Sequence, residues 1–169
     1  MLPPARSPGR YRVELVCLGN ICRSPTAHVV VAERIADAGL TDVVEITSSG
    51  TGDWHVGGPM DRRAAATLTA AGYDASRHRA RQWDSDGHLD LVLAMDDTNL
   101  ADLGGRTDRV RKFRDFDPVD PQGDVPDPYY GGADGFEEVL AMVERTAAAL
   151  VGALEHERPW EASQDAGQP

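Results

Sequence analysis

The segment Cys17-Leu18-Gly19-Asn20-Ile21-Cys22-Arg23-Ser24-Pro25 gathers a thiol, a guanidinium, a hydroxyl and two residues that tolerate a left-handed backbone within one short stretch. Gly19 and Asn20 allow the chain to curl with its N–H groups pointing inward. A helix opening at the end of the stretch adds its own partial positive charge. Arg23 supplies a planar fork for two oxygens of an anion. Together these groups form a cradle for a tetrahedral oxyanion such as phosphate. They also favour the thiolate of Cys17 over its thiol. A thiolate at the base of such a cradle can attack phosphorus in line, giving a phosphocysteine, and the Ser24 hydroxyl is placed to donate to the departing sulfur. Each donor aimed at the oxygens is worth roughly 10²–10³ in rate. The usual metal-ligand spacings do not appear, so this chemistry is expected to need no metal and no cofactor.

Composition sets the frame for this chemistry. The chain has 169 residues, the size of one domain, and a formal charge of −11. That charge argues against nucleic-acid or anionic-membrane partners, and an acidic protein that binds phosphate must concentrate its positive potential locally. Cys17 and Cys22 are the only cysteines; so close together they cannot staple a secreted fold, and a reducing compartment is expected. Met1–Arg12 has no apolar run fit for a signal peptide, and no stretch approaches a membrane span. The expected location is the cytoplasm, with export by an unconventional route left open.

The elements that must position the cradle follow from pattern. Tyr11–Cys17 reads as a buried strand. Ser24-Pro25 reads as an N-cap followed by proline at the first helical position, and the helix runs to about Ala38 with Ala27, Val30, Val31 and Ile35 on one face. Val43–Ser48, Leu91–Met95 and Val110–Phe113 read as strands; Asp61–Ala71 and Thr98–Leu103 read as helices. Asp134 with Glu137 suggests a capping box for a last helix, whose apolar stripe runs from Phe136 to Leu154. Pro118–Gly132 is a long Pro-, Asp- and Gly-rich loop, and at that length a functional suspect. Strands alternating with helices predict an α/β fold of three layers, a four-stranded parallel sheet flanked by helices on both faces. The phosphate-binding loop would lie between strand 1 and helix 1, at the carboxyl end of the sheet where ligands bind in such folds. Residues 1–10 are expected to fray, residues 11–158 to form the single domain, and residues 159–169 to be a disordered tail.

In this context the chain resembles the low-molecular-weight protein tyrosine phosphatases, as a bacterial, actinobacterial-like member. Cys17–Pro25 is that family's phosphate-loop signature almost letter for letter, and Asp127-Pro128-Tyr129-Tyr130 followed by Gly131 is its second signature. Thr47–Thr51 (TSSGT), His78–Gln82 (HRARQ) and Met95–Asn99 (MDDTN) are similar to intermediate landmarks, in the right order, so the resemblance runs from about Val13 to Leu154. It implies a nucleophile at Cys17, a phosphate-binding arginine at Arg23 and a leaving-sulfur donor at Ser24, with the loop Leu18, Gly19, Asn20, Ile21 and Cys22 around the anion. Asp117, Asp120 and Asp127 all precede proline, and composition cannot choose among them; the resemblance singles out Asp127 as general acid and then base. It also implies a supporting network of Asn20, Ser48 and His78 and a substrate crevice walled by Leu18, Trp54, Tyr129 and Tyr130. For Cys22 two readings stand: a small packing residue, or a resolving thiol that captures oxidised Cys17.

The expected partner is a phosphotyrosine-containing protein, with inorganic phosphate as product and the enzyme a monomer. Related arginine phosphatases and arsenate reductases on the same scaffold usually carry a small polar residue where Ile21 stands, and the thioredoxin-linked reductases need further cysteines. Those activities, and a non-catalytic phosphotyrosine-binding module, are the alternatives.

Overall fold

The computed structural model describes residues 1–85 and 87–162. Four strands, β1 (Tyr11–Cys17), β2 (Val44–Gly50), β3 (Leu91–Ala94) and β4 (Val110–Lys112), form one sheet in the order β2-β1-β3-β4, every pairing parallel. The helices α1 (Arg23–Asp37), α2 (Arg62–Ala70), α3 (Asp97–Asp102) and α4 (Ala133–Glu157) fill the connections and the C-terminal end, and a short 3-10 turn (Phe113–Phe116) follows β4. The α/β fold expected from the alternation is the observed one.

Side-chain alternation along β1 divides the core. Val13, Leu15 and Cys17 join Leu91 and Leu93 in the larger apolar cluster, which α1 covers with Ala27, Val30, Val31 and Ile35 and α4 with Val139, Val143, Leu150 and Leu154. Val16 and Val92 belong to a smaller cluster closed by Trp83, Leu89, Leu103 and Val110. Glu14, between them, is 1% exposed. Its carboxylate accepts from Thr47 Oγ1 (3.0 Å), Ser49 Oγ (2.9 Å) and Arg81 Nη1 (2.5 Å), which ties β1, β2 and the segment around Arg81 together. The central position of β1 puts the end of that strand, and hence Cys17, between β2 and β3.

Four expectations need correction. Helix α1 begins at Arg23 with Cys22 as its N-cap and no side-chain cap, so Ser24 is inside the first turn; its hydroxyl is turned toward Cys17 and Asn20 instead of capping. Helix α4 begins at Ala133 after Gly132, again without a side-chain cap, so Asp134 and Glu137 form no capping box. Residues 1–10 do not fray: Leu2 and Ala5 are buried. Ala5 N donates to Pro159 O (3.0 Å), Gly9 N donates to Trp160 O (3.0 Å), and Arg6 N reaches Asp90 Oδ1 (2.6 Å). Apolar side chains and backbone pairing outweigh the Pro- and Arg-rich composition. Trp160, counted with the tail, is buried by the same contacts; residues 163–169 lie outside the described residues. No helix among the described residues is long and apolar enough to cross a membrane.

Candidate active site

β1 ends at Cys17 and α1 starts at Arg23, so residues 18–22 must turn within a few ångströms of the strand tips. Asn20 takes the left-handed conformation (φ 55°), a state that asparagine visits more readily than other non-glycine residues. The neighbouring tip of β2 makes room through Gly50, where a Cβ would lie 2.6 Å from Leu18 O and 3.0 Å from Asn20 N. Asn20 N points at Cys17 Sγ (3.3 Å), and Ser24 Oγ lies 3.0 Å from the same sulfur. Of the loop N–H groups expected to turn inward, that of Asn20 points at the thiol, and Asn20 rather than Gly19 carries the left-handed turn.

Beneath the loop the Asn20 side chain, 1% exposed, is satisfied at both ends. Its Oδ1 accepts from Arg81 N (3.0 Å), which leaves Nδ2 to donate to Ser24 Oγ (2.8 Å) and Ser48 Oγ (3.1 Å). His78 Nε2 donates to Asn20 O (2.7 Å), so Asn20, Ser48 and His78 do form one network. Two further residues join it, His28 from no motif and Arg81 from within the His78–Gln82 segment. His28, one turn along α1, lies with Nδ1 3.2 Å from Ser48 Oγ. Ser48 already accepts from Asn20, so its proton is free for that nitrogen. Burial, then the neighbouring His78 and Arg81, push the His28 imidazole down to about 4, so it is neutral at pH 7. Arg81 is held by the buried Glu14 and donates to Ser48 O (3.1 Å).

Arg23 is 3% exposed, and its orientation is set from the other side. Nη1 donates to Asp96 Oδ2 (2.6 Å) and Val125 O (3.2 Å), while Nη2 stands 3.6 Å from Asp127 Oδ2. Asp96 also caps α3 through Asn99 N (2.7 Å). The long loop that carries Asp127 is pinned along its length. Asp117 accepts from Arg145 and Arg114, and the Arg145 hydrogen bonds above all hold its carboxyl well below the usual carboxylate range. Lys112 Nζ bonds Asp124 Oδ1 (2.6 Å), and the buried Val125 donates its N–H to Met95 O (2.7 Å). Asp127 follows two residues later, at the rim.

The result is a hollow of about 280 Å³ with Cys17 and Arg23 among its lining, and Leu18, Trp54, Asp127, Tyr129 and Tyr130 around it. Trp54 is 69% exposed and Tyr130 92%, so the rim presents large aromatic surface to solvent. Arg63, salt-bridged to Asp61 (3.1 Å), stacks between Tyr129 (5.3 Å) and Phe136 (4.7 Å) and props the tyrosine wall against α4. Asp61 N donates to Ile21 O (2.9 Å), tying the loop to the start of α2. His55 also lines the hollow, beside Gly19; like Arg63, it stands in no motif that would have announced it. Cys22 is buried beneath, its thiol pushed up to about 12, chiefly by burial, so it stays protonated at neutral pH.

A buried thiol approached by the Asn20 amide and the Ser24 hydroxyl, with Arg23 in the same hollow and the Asp127 carboxylate on its rim, has the make-up that thiol-dependent phosphoryl transfer requires. Residues 12–160 match the family described as low molecular weight phosphotyrosine protein phosphatase. The chain is 48% identical over 154 residues to a low molecular weight protein-tyrosine-phosphatase of Streptomyces coelicolor, spanning 85% of this chain and 93% of that one. It is 46% identical over 145 residues to low molecular weight protein-tyrosine phosphatase A of Mycobacterium tuberculosis, spanning 82% and 88%. A crystal structure of the protein tyrosine phosphatase of Entamoeba histolytica, with Hepes in its active site, superposes with a TM-score of 0.81 at 32% identity, over 88% of this chain and 99% of that one. The chain therefore belongs to the low molecular weight protein-tyrosine phosphatase family, a family of hydrolases.

Proposed function

We propose that this protein hydrolyses protein phosphotyrosine through a phosphocysteine on Cys17. The phosphate dianion sits in the loop of residues 17–23, its equatorial oxygens accepting from loop amides and the Arg23 guanidinium. The Cys17 sulfur attacks phosphorus in line while Asp127 protonates the departing tyrosyl oxygen, releasing neutral tyrosine. Asp127, now a carboxylate, takes a proton from water as that water attacks phosphorus; the P–S bond breaks, and Ser24 donates a hydrogen bond to the sulfur as it regains negative charge. Inorganic phosphate leaves. The observation that carries this reading is the 3.0 Å approach of Ser24 Oγ to Cys17 Sγ at the base of a hollow that Asp127 also lines.

The substrate class rests on the walls. Trp54, Tyr129 and Leu18 offer flat apolar surface to a phenyl ring, and a phosphoserine at the same depth would leave that surface unfilled. Ile21, an apolar residue, is among those lining the hollow, which suits an aryl ester better than a guanidinium or arsenate. Phosphotyrosine peptide turnover, followed by phosphate release with chelator present, tests the reading. Cys17→Ser is expected to abolish turnover, and Asp127→Ala to lower kcat by about 10²–10⁴. Undiminished activity in Cys17→Ser would overturn it, and a covalent phosphocysteine trapped by rapid quench separates an enzyme from a binding module.

We also infer a cytoplasmic location, which the two unpaired cysteines support, and a monomeric state; fractionation of cells checks the first and sedimentation the second. For Cys22 the raised thiol favours the packing role; a loss of two mass units after peroxide, absent in Cys22→Ser, would assign it the capture of oxidised Cys17 instead.

A further inference from the structure

Beside the catalytic hollow lies a second one of about 380 Å³, lined by Leu18, Thr51, Gly52, Trp54, Trp83 and Asp102. Leu18 and Trp54 belong to both, so the Trp54 indole forms a shared wall between them. That indole lies directly over Gly52, where a Cβ would come within 2.0 Å of Trp54 Cζ3; the bare backbone at Gly52 fixes where the wall stands. Trp83 is anchored on the far side by its N–H to Gly50 O (2.7 Å) and by packing against Val16, Leu89 and Val92. The hollow thus combines two indoles with a single ionisable side chain, Asp102, which is exposed at the end of α3 and has no ion-pair partner among the described residues. No basic residue lines it.

We propose that this second hollow is a specificity subsite for an arginine or lysine close to the phosphotyrosine in the substrate chain, a reading that rests on the phosphotyrosine assignment above. A guanidinium or ammonium there stacks on indole faces, attracted by their negative π surface, and ends at the Asp102 carboxylate. Its alkyl stem covers the apolar surface of Leu18 and Trp54. An acidic side chain in the same place meets Asp102 and the −11 charge of the chain with the wrong sign. The phosphate end of the substrate is read by Arg23, and the neighbouring residue by a site of opposite charge. The two together select a peptide that is anionic at one point and cationic beside it.

Steady-state kinetics on phosphotyrosine peptides that differ only in carrying Arg, Ala, Leu or Glu at each of the two positions on either side test this, with p-nitrophenyl phosphate as a substrate that has no flanking residue. At one position the Arg peptide is expected to exceed the Glu peptide in kcat/KM by roughly 10-fold, the difference lying in KM. Asp102→Asn should shrink that ratio to about 3-fold or less, and Asp102→Arg should reverse it, both with unchanged turnover of p-nitrophenyl phosphate. Equal rates whichever residue flanks the phosphotyrosine, a preference for Leu over Arg, or a preference for Arg that survives in Asp102→Arg would overturn the subsite and leave the phosphotyrosine assignment standing. Failure to hydrolyse any phosphotyrosine peptide, with p-nitrophenyl phosphate still turned over, would overturn both.

Discussion

Arg23 reaches the hollow with one amino group already committed to Asp96 and the Val125 carbonyl, so the face it turns to the hollow is fixed by the fold itself. Asp96 does two jobs with two oxygens: Oδ2 orients Arg23 and Oδ1 caps α3. Asp96→Asn keeps an oxygen for the cap but loses the charge that holds the guanidinium. It is expected to lower kcat/KM about 10-fold through misplacement of Arg23, with the melting temperature unchanged. Asp96→Ala should add a loss of about 1 kcal/mol in stability from the missing cap. Paired kinetics and thermal melts separate the two effects; an Asp96→Asn enzyme with full activity would remove Asp96 from the site. At this scale the sequence was legible where chemistry and backbone coincide. Cys17, Asn20, Arg23 and Ser24 lie within one short stretch, and their types point to the chemistry proposed for them. Asp96 and Arg81 stand in the segments Met95–Asn99 and His78–Gln82 that the resemblance marked, and Glu14 stands in no motif. Their partners were not legible, because an aspartate 73 positions from Arg23 carries no local mark of facing it. Ser24 was misread as a cap for a related reason: Ser before Pro is a common helix start, and only the three-dimensional position of Cys17 shows that its hydroxyl is used elsewhere.

Helix α1 carries the candidate site residues Arg23 and Ser24 in its first turn and a titratable support, His28, in its second. His28 accepts the Ser48 proton only while neutral, and it binds a proton more weakly in the fold than the 6.5 of an ordinary imidazole. Between about 6.5 and about 4 the unfolded chain therefore holds more protons than the folded one, and stability falls as pH falls through that window. The loss attributable to His28 reaches about 3 kcal/mol at the acid end, and above the window its contribution is flat. His78, also lowered chiefly by burial, acts in the same direction. Urea unfolding at pH 7 and pH 4.5 should show a smaller difference for His28→Gln, which keeps an acceptor for Ser48 but cannot titrate. An identical difference in both proteins would refute the role. Elements themselves were readable from periodicity: the stripe on α4 and the buried face of α1 lie where alternation of apolar residues put them. Helix starts were less so, since both α1 and α4 begin without a side-chain cap and give no local signal.

Over the whole molecule, the first ten residues act as a clasp. Leu2 N donates to Glu157 Oε1 (2.7 Å), Arg109 Nη2 to Pro4 O (3.0 Å), and the Arg6 and Arg12 amides share the carboxylate of Asp90, which is 1% exposed. The clasp joins β1, β4, the end of α4 and the turn before β3. Removing residues 1–9 takes away the buried Leu2 and Ala5 and one donor to a buried carboxylate, for an expected loss of about 3–5 kcal/mol. Chemical unfolding of the truncated chain measures it, and unchanged stability would show the clasp to be idle. Composition suggested fraying here because prolines and arginines dominate the segment; which carbonyls and carboxylates they would meet is a property of the folded surface alone.

The seating of Trp54 over Gly52 makes the protein its own optical gauge. The indole at the rim is wet, Trp83 is half covered, and Trp160 is enclosed at the opposite end of the chain beside Arg158. Emission from the red edge of the tryptophan band, and its quenching by acrylamide, therefore follows occupancy of the mouth, whereas the blue edge follows the closure of the terminal clasp. A single fluorescence trace, resolved by wavelength, distinguishes a ligand that fills the enzyme from a condition that opens it.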